Sequence, residues 1–169
     1  MVVRDATEAD LAAVVAIYNA AIPGRMATAD PQPVTVAQRL PWFREHEPAR
    51  RPLWLAVDGA HTLGWLSFQS FYGRPAYDAT AELSVYVSPA HQRRGVALAL
   101  MTRALDEAPR LGLRTLLGFV FGHNAPSLTL FERLGFERWA LLPRVAELDG
   151  VERDLVIVGR RVSLSRPTA

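Results

Sequence analysis

Residues 80–111 constrain the fold more than any other part of the chain. They run from an alternating pattern typical of a β-strand (Thr80 to Val87), through the basic turn Gln92-Arg93-Arg94-Gly95, into a long amphipathic segment. Apolar residues recur in that segment with the 3.6-residue period of a helix, which we expect over residues 95–111. The sequence therefore predicts a strand that leads into a helix through a tight basic turn.

This turn is suited to hold a phosphate-bearing ligand. The N–H groups in the first turn of a helix lack intrahelical partners, and the helix dipole adds a partial positive charge there. Gly95 allows close approach of the backbone, and Arg93 and Arg94 supply fixed positive charge. The turn alone leaves open an arginine-rich connection with a capping glycine and no ligand.

Composition limits the chemistry that is available. The 169 residues include no cysteine, which excludes disulfides, thiolate metal ligands and a cysteinyl acyl intermediate. All 19 basic residues are arginine, so a lysine nucleophile and a phosphate-binding P-loop lysine are excluded. The four histidines show no metal-ligand spacing, and we expect no metal.

The distribution of charge and hydropathy bears on partners and location. The net charge is +2 and the arginines are scattered, which favours a solvated surface over a nucleic-acid interface. No apolar run is long enough for a membrane span. The N-terminus shows no signal-peptide pattern, and we expect a cytoplasmic protein without nucleic-acid or membrane partners.

The remaining patterns predict one α/β (α+β) domain over residues 1–162, with a mixed sheet, and a flexible tail over 163–169. Pro41 falls inside the second helix and is expected to kink or divide it. The expected strands are 2–4, 53–57, 61–70, 80–87, 115–121, 138–147 and 151–161, and the expected helices are 8–21, 35 to about 46, 95–111 and 125–134.

The motif V-x-V-x(4)-Q-R-R-G-V-A, which begins at Val85, resembles the acetyl-CoA signature Q/R-x-x-G-x-G/A of the GNAT superfamily of N-acetyltransferases. The segments at residues 76–82 and 85–93 are similar to the phosphinothricin N-acetyltransferase subgroup. So are R-x-A-T-E-A-D at residues 4–10 and N-x-P-S…L-G-F at residues 124–136. The resemblance covers nearly the whole chain.

The resemblance implies a GNAT fold and a site for acetyl-CoA as co-substrate. It implies a twisted, mostly antiparallel sheet of about seven strands, flanked by helices, in which two central strands splay apart. The backbone of Val85, Tyr86 and Val87 would then bind the pantetheine arm, and Asn124 would contact the arm beyond the splay. An Asn before Ala-Pro-Ser is also a good helix N-cap, and this alternative stays open. The residues expected to hold the pyrophosphate are Arg93, Arg94, Gly95, Val96, Ala97 and Leu98.

Glu82 matches the general base of the subgroup. A substrate amine is mostly protonated at neutral pH and must lose a proton before it attacks the thioester, and a carboxylate can accept that proton. The ordinary Glu pKa of about 4.3 is low for this task, so partial burial would have to raise it. From the residues alone, Glu82 could equally be an exposed strand glutamate without a role.

One position departs from the family pattern. Many superfamily members place a tyrosine on the helix after the asparagine, and the phosphinothricin subgroup often has histidine there; this chain has Phe131. The expected general acid for the leaving thiolate is therefore missing. A CoA thiolate is stable enough to leave unaided, so activity is still expected.

The resemblance also implies the acceptor and the assembly. Arg74 and Tyr77 match substrate-binding positions, and Arg74 could bind a carboxylate or phosphinate. A solvent-facing Arg74 and a packing Tyr77 are the structural alternatives. We expect direct transfer to a small amino acid-like amine, such as phosphinothricin or methionine sulfoximine or sulfone, and a homodimer. Other acceptors (a protein N-terminus, an antibiotic or a polyamine) and a non-catalytic CoA-binding module remain alternatives.

Overall fold

A seven-stranded sheet crosses the protein in the computed structural model, which describes residues 1–162. The predicted tail at 163–169 lies outside the described residues. The strands are β1 (Val2–Asp5), β2 (Leu53–Asp58), β3 (His61–Ser70), β4 (Thr80–Val87), β5 (Thr115–Phe121), β6 (Glu137–Leu148) and β7 (Val151–Arg161). The α-helices are α1 (Leu11–Ala21), α2 (Val36–Arg44), α3 (Val96–Glu107) and α4 (Ala125–Arg133).

The strand order is β1-β2-β3-β4-β5-β7-β6. Neighbours pair antiparallel except β4 and β5, which run parallel. The predicted mixed, mostly antiparallel sheet is confirmed, and the main elements follow the predicted order.

The sheet is splayed between β4 and β5. These strands pair only at Thr80–Thr115, Ala81–Leu116 and Glu82–Leu117. Beyond that point β4 still pairs with β3 as far as Val87, and β5 still pairs with β7 as far as Phe121. The gap therefore opens at Glu82, and the predicted splay is confirmed.

Two apolar layers cover the sheet. Helices α3 and α4 pack on one face, where Leu83 of β4 meets Leu100 of α3 in the larger core cluster. Helix α1 packs on the other face around Trp65 of β3, with Tyr86 of β4 against the same cluster. Because side chains alternate along a strand, β4 presents Leu83, Val85 and Val87 to the first face and Glu82, Ser84 and Tyr86 to the second.

Several predicted boundaries were wrong. The first helix begins with a 3₁₀ turn at Glu8–Asp10 before α1. Pro41 lies inside α2 and does not divide it. Helix α3 ends at Glu107 rather than residue 111, because Pro109 follows the C-cap residue Ala108 and a proline cannot continue the helix without a clash. No helix within residues 1–162 is long and apolar enough to cross a membrane.

Candidate active site

The splay opens into a cavity of about 410 Å³, here called the splay cavity. Its walls are the diverging halves of β4 and β5, the start of α4, and the loop between α1 and α2. The β6–β7 hairpin closes it with Val145, Ala146 and Leu155. The cavity therefore lies where the resemblance predicts the reacting thioester.

Glu82 stands at the point where β4 and β5 separate. Its side chain is half-buried, and burial raises the pKa of its carboxyl group above the ordinary value. It is the only carboxylate among the residues that line the splay cavity. A carboxylate with a raised pKa is a better proton acceptor near neutral pH than an exposed one, so the environment that the base requires is present.

Of the residues predicted to bind the pantetheine arm, Val85 and Tyr86 line the splay cavity, and Val87 ends the strand. The Tyr86 ring stacks on Trp65, with ring centroids 4.6 Å apart, and its hydroxyl donates to the Ala27 carbonyl oxygen at 3.0 Å. Burial raises the pKa of Tyr86, so its hydroxyl stays protonated. The Tyr86 side chain therefore packs on the face of the sheet that α1 covers.

The predicted phosphate-binding turn has the expected shape. Arg93 and Gly95 adopt left-handed conformations, with φ of 58° and 79°. Both arginines of the turn are exposed, and no side chain caps the N-terminus of α3. The N–H groups of residues 96–98 therefore have no intrahelical partner, as a phosphate site requires.

Asn124 is buried and engaged on both sides of its amide. Its Oδ1 accepts from the Ser127 N–H at 3.2 Å, which caps α4, and its Nδ2 donates to the Met26 carbonyl oxygen at 2.8 Å. The capping alternative is therefore present in the structure. A contact of Asn124 with the cofactor arm stays a prediction.

Phe131 lines the splay cavity as an apolar wall. It lies directly against the backbone of β5, since a Cβ placed on Gly118 would come within 2.6 Å of its Cζ. Its ring also meets Phe136 edge-on at 4.9 Å. This position contributes packing, and no hydroxyl or imidazole group, to the cavity.

The two predicted acceptor residues lie in the exposed β3–β4 loop. Tyr77 packs with Phe71 and Tyr72, at centroid distances of 5.4 and 5.9 Å. Arg74 is exposed, and neither it nor Tyr77 lines the splay cavity. Their roles in binding an acceptor stay predictions.

A second cavity of about 140 Å³ lies between the sheet and the two N-terminal helices. We call it the aromatic chamber, after its walls Tyr18, Trp42, Trp65 and Tyr86. Among residues 1–162, the only charged residue that lines it is Arg39. The guanidinium lies 4.3 Å from the centroid of the Tyr18 ring and 3.0 Å from Asp30. Its remaining lining residues are Val14, Val15, Ser67, Gln69 and Ser84.

Residues 25–30, here called the roof loop, lie over the splay cavity and are held by distant parts of the chain. Arg25 makes a two-pronged ion pair with Asp149 in the β6–β7 turn, at 2.7 and 3.1 Å. His123 Nε2 donates to the Arg25 carbonyl oxygen at 2.8 Å. The sequence interpretation did not include these contacts, because nothing local links residues so far apart.

The sequence of the chain matches a known family of enzymes. The model of the Acetyltransferase (GNAT) family matches residues 14–136. The chain therefore belongs to the GNAT acetyltransferase family, and it is an acyltransferase that uses acetyl-CoA.

Individual relatives cover nearly the whole chain. A Bacillus subtilis (strain 168) protein named "Putative phosphinothricin acetyltransferase YwnH" is 51% identical over 96% of this chain and 100% of its own length. The L-methionine sulfoximine/L-methionine sulfone acetyltransferase of Salmonella typhimurium is 32% identical, over 94% of this chain and 92% of its own. A phosphinothricin acetyltransferase from Sinorhizobium meliloti, solved in complex with acetyl-CoA, superposes with a TM-score of 0.91 at 26% identity, over 99% of this chain and 91% of its own.

Proposed function

We propose that this enzyme acetylates the primary amine of a small amino acid-like acceptor, such as phosphinothricin, methionine sulfoximine or methionine sulfone. The observation that carries the proposal is a single half-buried carboxylate, Glu82, at the opening of the splay. The names of the relatives at 51% and 32% identity support this class of acceptor.

Acetyl-CoA fits the residues that are present. The unpaired half of β4 offers the backbone of Val85 and Val87 to the amides of the pantetheine arm. The uncapped start of α3, with Arg93 and Arg94 beside it, suits a pyrophosphate. Acetyl-CoA supplies the activated acetyl group; the protein holds it with its thioester in the splay cavity.

The transfer is direct. The free amine attacks the thioester carbonyl carbon, a C–N bond forms, the C–S bond breaks, and CoA leaves as a thiolate. Before the attack, the substrate ammonium gives one proton to the Glu82 carboxylate, directly or through one water. The nitrogen loses its second proton to solvent after the C–N bond has formed. No cysteine exists to carry the acetyl group, and Phe131 provides no acid, so the thiolate leaves without help from that position.

The function is tested by release of free thiol from acetyl-CoA with a panel of amines. The panel contains methionine sulfone, phosphinothricin, spermidine and a peptide with a free N-terminus. The proposal predicts the highest kcat/KM with the amino acid-like acceptors. Faster turnover of spermidine or the peptide would refute the acceptor class.

Phe131 also favours a second candidate, a CoA-binding module without catalysis. Calorimetry that shows acetyl-CoA binding, combined with no thiol release for any amine, would support that candidate. Glu82 argues against it, because a buried carboxylate without a catalytic role only costs stability.

We also propose a homodimer that works in the cytoplasm, where acetyl-CoA is made and used. The edge strand β6 carries three exposed apolar residues, Trp139, Leu141 and Val145. Exposed apolar residues on an edge strand are suited to bury surface against a second copy of the chain. Light scattering of the wild type and of Leu141→Arg tests the assembly, and a monomeric wild type would refute it.

A further inference from the structure

We propose that the aromatic chamber receives the side chain of the acceptor, and that it selects a neutral side chain ending in a hydrogen-bond acceptor. The inference deepens the proposed function and rests on it, since it concerns which amino acid-like amine the enzyme takes. Four observations carry it: position, size, unpaired polar groups and charge.

The chamber opens beside the proposed base. Ser84 and Tyr86 line both the chamber and the splay cavity. Gln69, on the chamber wall, is the direct cross-strand partner of Glu82. Paired residues of antiparallel strands lie on the same face. An amine at Glu82 therefore places the rest of its molecule at the mouth of the chamber.

Its size fits one short side chain. A water molecule occupies about 30 Å³ in the liquid, so a 140 Å³ cavity holds about four or five groups of that size. The sulfone end of methionine sulfone, together with the methylene before it, is of this size.

The inner end of the chamber carries polar side chains without a hydrogen-bond partner within residues 1–162. Ser67 is 1% exposed, yet its hydroxyl makes no side-chain hydrogen bond within residues 1–162. The same holds for Gln69 and Ser84 in that part of the chain. The polar atoms of these three side chains keep some accessible surface, so a molecule in the chamber can reach them. A buried hydroxyl without a partner is costly, and an oxygen of a ligand bound in the chamber would accept a hydrogen bond from Ser67.

The charges of the chamber disfavour a cationic side chain. Within residues 1–162, Arg39 is the only charged residue that lines it, and its guanidinium is paired with Asp30 at 3.0 Å. Because no carboxylate lines the chamber in that part of the chain, a cationic side chain would lose water there without gaining a counter-ion. A neutral side chain with accepting oxygens needs no counter-ion.

The kinetic test uses three acceptors and two variants at one position. L-Methionine sulfone has the side-chain oxygens, L-norleucine is similar in length without them, and L-alanine does not reach the chamber. Ser67→Ala is expected to lower kcat/KM about three- to tenfold for the sulfone only, the usual value of one hydrogen bond. Ser67→Leu, which fills the inner end, is expected to lower kcat/KM for both long acceptors at least about tenfold, while L-alanine changes less than about twofold.

A second measurement does not depend on turnover. Trp42 and Trp65 line the chamber, whereas Trp54 and Trp139 do not. Titration of the CoA-loaded protein with methionine sulfone is expected to give a saturable change in tryptophan emission. The change is expected to disappear in Ser67→Leu and to shrink in Trp42→Phe.

The outcomes separate the two proposals. Turnover with equal losses for L-alanine and the sulfone, or no loss in either Ser67 variant, would overturn the chamber assignment and leave the acetyl transfer standing. Saturable binding that Ser67→Leu abolishes, without any turnover, would support the chamber and refute the transfer. Neither binding nor turnover would overturn both. If Ser67→Leu does not fold, the sulfone-to-norleucine ratio in Ser67→Ala decides.

Discussion

Replacement of Glu82 by glutamine tests the proposed base most directly, because the side chain keeps its size and loses its charge. Within residues 1–162 no other carboxylate lines either cavity, and the nearby Asp30 is paired with Arg39. General-base catalysis contributes about 10²- to 10⁴-fold, which is about 2.7–5.4 kcal/mol of transition-state stabilisation at 1.36 kcal/mol per tenfold. We expect Glu82→Gln to lower kcat/KM by that factor while the Kd of acetyl-CoA, measured by calorimetry, stays unchanged.

The pH dependence of kcat/KM is a second test of Glu82 as the general base. The base works as a carboxylate, so wild-type activity falls as the pH drops through the pKa of Glu82, which burial raises above its ordinary value. In Glu82→Gln this acidic limb should vanish. The exposed Glu132 on α4 offers a matched control, and Glu132→Gln should retain both rate and limb. A Glu82→Gln enzyme within about tenfold of wild type, with its acidic limb intact, would refute the assignment.

Stability should change in the opposite direction to activity. A carboxyl group whose pKa is higher in the folded than in the unfolded state stabilises the protein below its unfolded pKa, and that stability is lost as the pH rises through the folded pKa. The ionised Glu82 therefore destabilises the enzyme at neutral pH. Thermal melts should show a higher Tm for Glu82→Gln than for wild type at pH 8, and the difference should shrink towards pH 4.

Three further predictions concern the supports of the site. Gly118→Ala should destabilise the protein by about 1–3 kcal/mol in denaturant melts, because the added Cβ would overlap the Phe131 ring packed on β5. Gly24→Ala is the control: its Cβ meets nothing closer than 3.7 Å, and its free energy of unfolding should stay within about 0.5 kcal/mol of the wild type. Gly95→Ala, at φ 79°, should lower the free energy of unfolding by about 1–2 kcal/mol in denaturant melts, since the left-handed conformation costs about that much for other residues; unchanged stability would contradict this reasoning. Arg25→Ala should raise the acceptor KM and leave acetyl-CoA affinity unchanged, and the exchanged pair Arg25→Asp with Asp149→Arg should recover part of the loss.

The strand, turn and helix that are proposed to hold the cofactor were predictable because their residues are close in the sequence. Strand, turn and helix follow one another between Thr80 and Glu107, and each has a local signal: alternation, a glycine beside arginines, and a 3.6-residue period. The 3.6-residue period, however, continues past Glu107, the last residue of α3, and therefore predicted a helix that is too long. Ala108 is fully buried although the helix has ended, because the period reports which side chains face the core, and the core extends past the last helical residue.

The acceptor half could not be predicted, because it is assembled from distant segments. The aromatic chamber takes its walls from α1, α2, β3 and β4, and single tryptophans in those elements are most simply explained as core residues. Trp65 is buried like a core residue and yet borders an empty space. The pair Arg25–Asp149 joins positions 124 residues apart, and no pattern in either segment points to the other.

The splay has a consequence for the enzyme without its co-substrate. Beyond Glu82, β4 has an unpaired edge in the middle of the sheet rather than at its border. Such an edge is a template for any extended chain. Acetyl-CoA at about 100 times its Kd would stabilise the folded state by about 2.7 kcal/mol, and it would also occupy this edge. We therefore expect concentrated enzyme to aggregate more slowly with CoA than without it. The bound co-substrate would cover the unpaired edge of β4 and so prevent this edge from pairing with another molecule of the enzyme.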